Sequence, residues 1–159
     1  MLIKVYSLQK AVDMEFNHRT ENGDYNLSFL NESNGTRRYF GLIAILKNLI
    51  EKKQVLFIDE LDNSLHPDLV SFFLTMFLFN SNGSQLFVST HDYSLLEKDF
   101  MRPDMIWFCE KNKDGSSEYY QALDCGIHKN NNFLRCYQAG KFGAIPDLGS
   151  PVINMESGV

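Results

Sequence analysis

Val55-Leu56-Phe57-Ile58-Asp59-Glu60-Leu61-Asp62-Asn63-Ser64-Leu65-His66-Pro67 is the stretch whose reading decides the fold. Its apolar run ends abruptly in two adjacent acids, the pattern of a short buried strand that surfaces at its C-terminal end. Pro67, followed by Asp68, stands where a first helical turn begins, and the helix runs to about Asn80, stopped by Ser81-Asn82-Gly83. Between Leu69 and Phe79 that helix is apolar nearly all round, so it is buried on several sides or covered by a partner. A second short apolar strand, Leu86-Phe87-Val88, then leads into a polar exit, Ser89-Thr90-His91-Asp92. Strand, helix and strand in this order predict neighbouring parallel strands joined by a crossover, hence an α/β sheet with parallel central strands and flanking helices.

On the N-terminal side, Thr36 to about Glu51 carries an amphipathic stripe at Tyr39, Ile43, Leu46 and Ile50. Before it, Leu2 to Ser7, Ala11 to Phe16 and Tyr25 to Leu30 read as strands, with the polar Asn17 to Asp24 segment and its Asn22-Gly23 turn as a connection. On the C-terminal side, a short helix is expected over Tyr93 to Glu97. Strands over Asp104 to Glu110 and Glu118 to Leu123, joined at Lys113-Asp114-Gly115, form a C-terminal β-hairpin. A helical segment, Phe133 to Ala139, precedes a tail containing Gly and Pro. The expectation is a single domain over 1–159, with N-terminal strands in 1–31, a core in 32–100, and the hairpin and tail in 101–159.

Composition sets the class. With 44% hydrophobic and 22% charged residues in 159, the chain has material for a sizeable core, which argues against disorder. Fifteen basic against 20 acidic side chains, a net charge of −5, oppose a surface that grips nucleic acid throughout. Cys109, Cys125 and Cys136 are odd in number and widely spaced, which fits reduced thiols and not a zinc site. The N-terminus lacks the apolar run of a signal peptide, and Leu69 to Phe79 is too short for the roughly 20 residues of a membrane span. A cytoplasmic location without membrane contact is expected.

Ligands of such sheets bind beyond the carboxyl ends of the strands. Asp59-Glu60 and Ser89-Thr90-His91 both lie there. Adjacent acids repel and are costly to desolvate unless a cation or proton stands by. Mg2+ suits them, because it takes one or two carboxylates and completes its shell with water and phosphate oxygens. Four apolar residues followed by Asp-Glu form the Walker B pattern, in which the first acid holds the metal and the second orients or deprotonates the attacking water. An acidic turn at a strand exit is the plainer alternative. His91 could reach a terminal phosphate, or be a solvated or capping loop residue. Glu32-Ser33-Asn34-Gly35-Thr36 precedes the amphipathic helix, whose N-terminal amides can take an anion, or which Ser33 or Asn34 can simply cap. Arg37 and Arg38 sit in the first turn, where the helix dipole disfavours cations, so either something negative offsets them or they line a solvated face.

Taken together, Glu32 to Thr36, Val55 to Pro67 and Gln85 to Asp92 resemble the signature motif, the Walker B motif with D-loop, and the switch-histidine loop of ABC-type ATPases, in that order. The chain is most similar to AAA-type ATP-binding proteins of the SMC and RecF branch found in bacterial abortive phage infection systems, whose tail resembles Asp104 to Phe108 and Tyr137 to Pro146. The resemblance covers roughly residues 30 to 148. It implies a partial P-loop NTPase fold of the ABC ATPase type, with ATP and Mg2+ as cofactors. Asp59 would hold the metal, Glu60 would be the catalytic base and His91 would contact the terminal phosphate. Ser33, Asn34 and Gly35 would meet that phosphate from the opposite subunit of a head-to-tail dimer, with Asp62 and Asn63 communicating across the interface.

One part of that pattern is missing. No Gly-x-x-x-x-Gly-Lys followed by Ser or Thr, the loop that cradles the β- and γ-phosphates, occurs in the sequence. The expectation is therefore a C-terminal lobe, whether a truncated product, an expressed fragment or one chain of a split ATPase. It would hydrolyse ATP as a homodimer or heteromer completed by a Walker A-containing chain, in phage defence or a DNA transaction, with a nucleic acid or a nuclease as effector. The alternatives are a non-catalytic dimerisation or regulatory module, and a metal-dependent nuclease using Asp59, Glu60 and His91.

Overall fold

The apolar run before the two acids is a strand, and in the computed structural model, which describes residues 14–126 and 132–146, it pairs in parallel with the run before Ser89. The element order is β1 (Glu15–Thr20), β2 (Gly23–Ser28), α1 (Asn34–Glu51), β3 (Val55–Ile58), α2 (Pro67–Asn80), β4 (Gln85–Val88), β5 (Trp107–Lys111), β6 (Ser117–Gln121) and α3 (Phe133–Gln138). The chain divides into two compact units, Met1–Thr90 and His91–Val159.

In the first unit the β3–β4 register runs from Val55 opposite Gln85 to Ile58 opposite Val88. Parallel pairing through the α2 crossover is therefore as the order of elements requires. The expected breadth is not found: among the described residues this sheet has two strands. Leu56, Ile58, Leu86 and Val88 are half-buried, whereas Phe57 is 73% and Phe87 50% exposed, their rings stacked at 4.8 Å. One face of the pair is thus bare, although parallel strands are ordinarily covered on both. Leu42, Leu46 and Leu49 of α1, Leu61, and Val70, Phe73 and Phe77 of α2 are buried. The all-round apolarity of α2 resolves into a buried face and an exposed one carrying Phe72 and Phe79.

The N-terminal hairpin corrects the sequence reading. Asn17 to Thr20, expected as connecting polypeptide, completes β1, and the loop shrinks to Glu21 and Asn22. Polar residues are stable there because an antiparallel pair needs only one covered face and cross-strand partners hold the other. The Asn17 amide donates to Asn26 Oδ1 at 3.0 Å, and the His18 ring stacks on Tyr25 at 5.0 Å. Phe16 packs against Phe29 and Phe40. The strand expected over Leu2 to Ser7 lies outside the described residues, as does the start of that over Ala11 to Phe16.

In the second unit, β5 and β6 form the expected antiparallel hairpin, closed by a turn through Asp114 and Gly115. Both strands are shorter than expected at one end, because Pro103–Met105 and Ala122–Cys125 are short 3-10 turns. Ile106, Phe108, Ala122, Phe133, Cys136 and Phe142 make the core, with Phe108 stacked on Phe142 at 4.6 Å. Cys109, Cys125 and Cys136 are free thiols. Among the described residues no helix is long and apolar enough to cross a membrane.

Tyr120 donates its hydroxyl hydrogen bond to the Phe142 carbonyl, and burial, reinforced by Glu110, pushes its phenol up to about 12 from 10.0. The unfolded phenol ionises first, so this stabilisation is complete below pH 10.0 and is lost as pH rises towards about 12. Tyr120→Phe is expected to flatten that alkaline loss of stability, measured by urea denaturation at a series of pH values; an unchanged pH slope would show that another group governs it.

Candidate functional site

The site is built from two loops of the first unit. Ser33 is the N-cap of α1: its Oγ accepts from the Thr36 amide at 3.1 Å and pairs with Thr36 Oγ1 at 2.9 Å. The helix consequently begins two residues before Thr36, with Asn34 and Gly35 inside its first turn, where amides lack intrahelical partners. Capping is thus realised in the chain by itself. Arg37 Nη2 donates to Asn34 Oδ1, a neutral amide oxygen, at 2.5 Å. Glu32, buried at 7% exposure, places its carboxylate 2.6 Å from His18 Nε2, which ties this turn to the hairpin.

The second loop, residues 59–65, leaves β3. Parallel register brings Ser89 level with Asp59, and the Ser89 hydroxyl donates to Asp59 Oδ1 while accepting from the Glu60 amide at 2.9 Å. The ladder continues past the strand end, with the Leu61 amide donating to the Ser89 carbonyl at 2.9 Å. Glu60 has φ +47° and Ser64 φ +60°, the left-handed region that side chains other than glycine seldom adopt. Each such residue costs about 1–3 kcal/mol, and persists where surrounding contacts over-determine it. Here the contacts are specific. Leu61 is fully buried, the Asn63 amide donates to the Glu60 carbonyl at 3.0 Å, and Arg38 Nη2 donates to the same carbonyl. Asn63 Nδ2 also reaches Glu60 Oε2 at 3.4 Å, and the Leu65 amide closes on the Asp62 carbonyl at 3.0 Å.

The two loops touch. A Cβ on Gly35 would lie 2.7 Å from the Ser64 carbonyl oxygen, so the first turn of α1 and the 59–65 loop approach as closely as a glycine permits. Ser33, Asn34 and Gly35 are thereby gathered with the loop that carries Asp59, Glu60, Asp62 and Asn63. Beside them opens a shallow, largely apolar cavity of about 470 Å3 lined by Phe16, Tyr39, Phe40, Ile43 and Leu69 together with Ser33, Gly35 and Thr36. Burial raises the Tyr39 phenol above its ordinary value. His91 belongs to the second unit, where it is exposed and its carbonyl accepts from the Tyr93 amide at 3.1 Å.

As a donor set, Asp59 and Glu60 suit a hard cation that takes water and phosphate oxygens for the rest of its shell. Among the described residues no group of three or more His, Cys, Asp or Glu is placed to hold a metal ion.

The family described as "AAA domain, putative AbiEii toxin, Type IV TA system" matches residues 3–97, more than half of the chain. The chain belongs to this family. The AAA domain match takes in the hairpin, the Ser33–Gly35 turn and the 59–65 loop. It begins further towards the N-terminus than the motifs read from the sequence and stops before the C-terminal hairpin. No curated protein and no solved structure matches the chain.

Two residues of the AAA domain escaped assignment from sequence. Ser89 was legible only as the polar exit of a strand, and its partner is fixed by register, which no local pattern specifies. Arg38 stood out as a cation in a first helical turn, but its acceptors are backbone carbonyls 21 and 22 residues away. Gly35→Ala is expected to destabilise the chain by about 1–3 kcal/mol in chemical denaturation, because the added methyl meets backbone and not a movable side chain. Wild-type stability in that variant would show that the contact yields.

Proposed function

We propose that the chain is the half of an ABC-type ATPase site that carries the signature, Walker B and D-loop elements, and that it hydrolyses ATP when a Walker A-containing segment or partner supplies the phosphate loop. Membership of the AAA domain family supports nucleotide-binding chemistry related to toxin–antitoxin or abortive infection systems. The observation that carries the finer reading is the strained, doubly anchored Asp59-Glu60 turn at the carboxyl end of a parallel strand, in contact with the Ser33–Gly35 turn. The bare Phe57–Phe87 face of the two-stranded sheet fits a core completed by further polypeptide.

In this reading Asp59 would hold Mg2+, which supplies charge neutralisation on the triphosphate oxygens when bound. Ser89 keeps the Asp59 carboxylate oriented. Glu60 takes the proton of the attacking water as its oxygen bonds to the terminal phosphorus and the bond from that phosphorus to the bridging oxygen breaks, leaving ADP and phosphate. His91 contacts the terminal phosphate of the triphosphate that Asp59 and Glu60 serve, the Ser33–Gly35 turn of the opposite subunit meets that same phosphate, and Asp62 and Asn63 communicate across the interface. The 159 residues contain no phosphate loop, so turnover needs a Walker A-containing segment or partner, in a homodimer or a heteromer. A nucleic acid or nuclease effector is the downstream target, and ATP the element that closes the dimer.

The chain with Mg2+ and ATP is expected to show no turnover alone and to gain it with a polypeptide bearing Gly-x-x-x-x-Gly-Lys-Ser/Thr. Glu60→Gln should then lower kcat by roughly 10²–10⁴ with ATP affinity retained. Full turnover in Glu60→Gln would remove that residue from the mechanism. Nucleotide-dependent association without hydrolysis in the wild type would instead leave the chain a non-catalytic dimerisation module.

A further inference from the structure

We infer that Arg38 is a positioning residue, linking the phosphate-facing turn of α1 to the backbone that aims Glu60; the inference rests on the role proposed for Glu60 above. Arg38 lies one helical turn beyond Asn34, so both share a face of α1. Its Nη2 donates to the Glu60 carbonyl and approaches that of Asp59 at 3.4 Å. Its Nε is buried without a hydrogen-bond partner. An arginine so placed is costly, since a buried donor is left unsatisfied. Such a cost in a folded chain points to what the residue holds.

What it holds is the one residue of the acidic pair with a left-handed backbone. The Glu60 amide is fixed by Ser89 from β4, and the Glu60 carbonyl by Arg38 from α1 and by the Asn63 amide. Pinning both flanking peptide groups at φ +47° sets the direction in which the Glu60 side chain leaves the loop. Of these anchors, Arg38 is the one that stands on the same helix as Ser33, Asn34 and Gly35. A shift of that turn on meeting a triphosphate is therefore carried to the Glu60 carbonyl through a single side chain. Gly35 against Ser64 is the second, purely steric link between the same two loops. Positioning, not contact with substrate, is the role assigned.

The test compares Arg38→Met, which keeps the stem and removes the donors, with Arg38→Lys, which restores one donor. In the chain alone, hydrogen exchange at residues 60–65 is expected to quicken about tenfold in Arg38→Met and to return towards wild type in Arg38→Lys. With a Walker A-bearing polypeptide and Mg2+ and ATP, Arg38→Met is expected to lose about tenfold or more in kcat at unchanged KM, and Arg38→Lys to retain most of it. Wild-type exchange in Arg38→Met, or equal losses in both variants that track a lowered melting temperature, would overturn the assignment. Absence of hydrolysis by the wild type with such a partner would overturn the ATPase reading instead, and exchange alone would then decide what Arg38 holds.

Discussion

A single backbone angle, the φ of +47° at Glu60, is the constraint around which the first unit is arranged. An L-residue is held there at a cost of about 1–3 kcal/mol, so its neighbours must supply the difference. They do so from two other elements. Ser89, at the end of β4, takes the amide and the adjacent Asp59 carboxylate, and Arg38, on α1, takes the carbonyl. Each anchor requires the one before it: Ser89 is in place only because β3 and β4 pair in register, and the pairing is in register because α2 provides the crossover.

The same turn explains why the α1 N-terminus lies where it does. Gly35 packs on the Ser64 carbonyl at a separation that no other residue accommodates, and Ser64 is itself left-handed. Helix start and strand exit are therefore one structural feature. The His18–Glu32 contact extends it to the hairpin, since a buried carboxylate in the turn before α1 needs a partner and finds it on β1. Away from this edge, the Phe57–Phe87 face leaves two large rings stacked on each other and exposed. Apolar surface of this kind in a parallel sheet is what a completing polypeptide would cover.

Much of the architecture was legible in the residues. Val55 to Ile58 and Leu86 to Val88 announce strands by apolar runs with polar exits and Pro67 marks the start of α2; the stripe at Tyr39, Ile43, Leu46 and Ile50 marks α1 as amphipathic, but the residues it buries are Leu42, Leu46 and Leu49, with Ile43 and Ile50 each 38% exposed. The first strand of the hairpin was not, because Asn17 to Thr20 is polar and is stabilised by cross-strand partners that a linear pattern does not contain. Among the described residues the sheet is narrower than expected, for a related reason: a strand's own sequence reports that it is buried or half-buried, and not how many neighbours it has.

For the site, the sequence by itself determined which groups are available: the acids at 59 and 60, the small turn at 33–35, the histidine at 91, and the lack of a phosphate loop. These are properties of residue type and spacing, and composition and periodicity are enough to read them. Tertiary structure alone decided the orientation of the pair. The left-handed turn at Glu60, the Ser89 clamp and the Arg38 bridge each depend on backbone groups brought together from distant positions by strand register and helix packing, and no local run of side chains encodes where a remote carbonyl will come to rest.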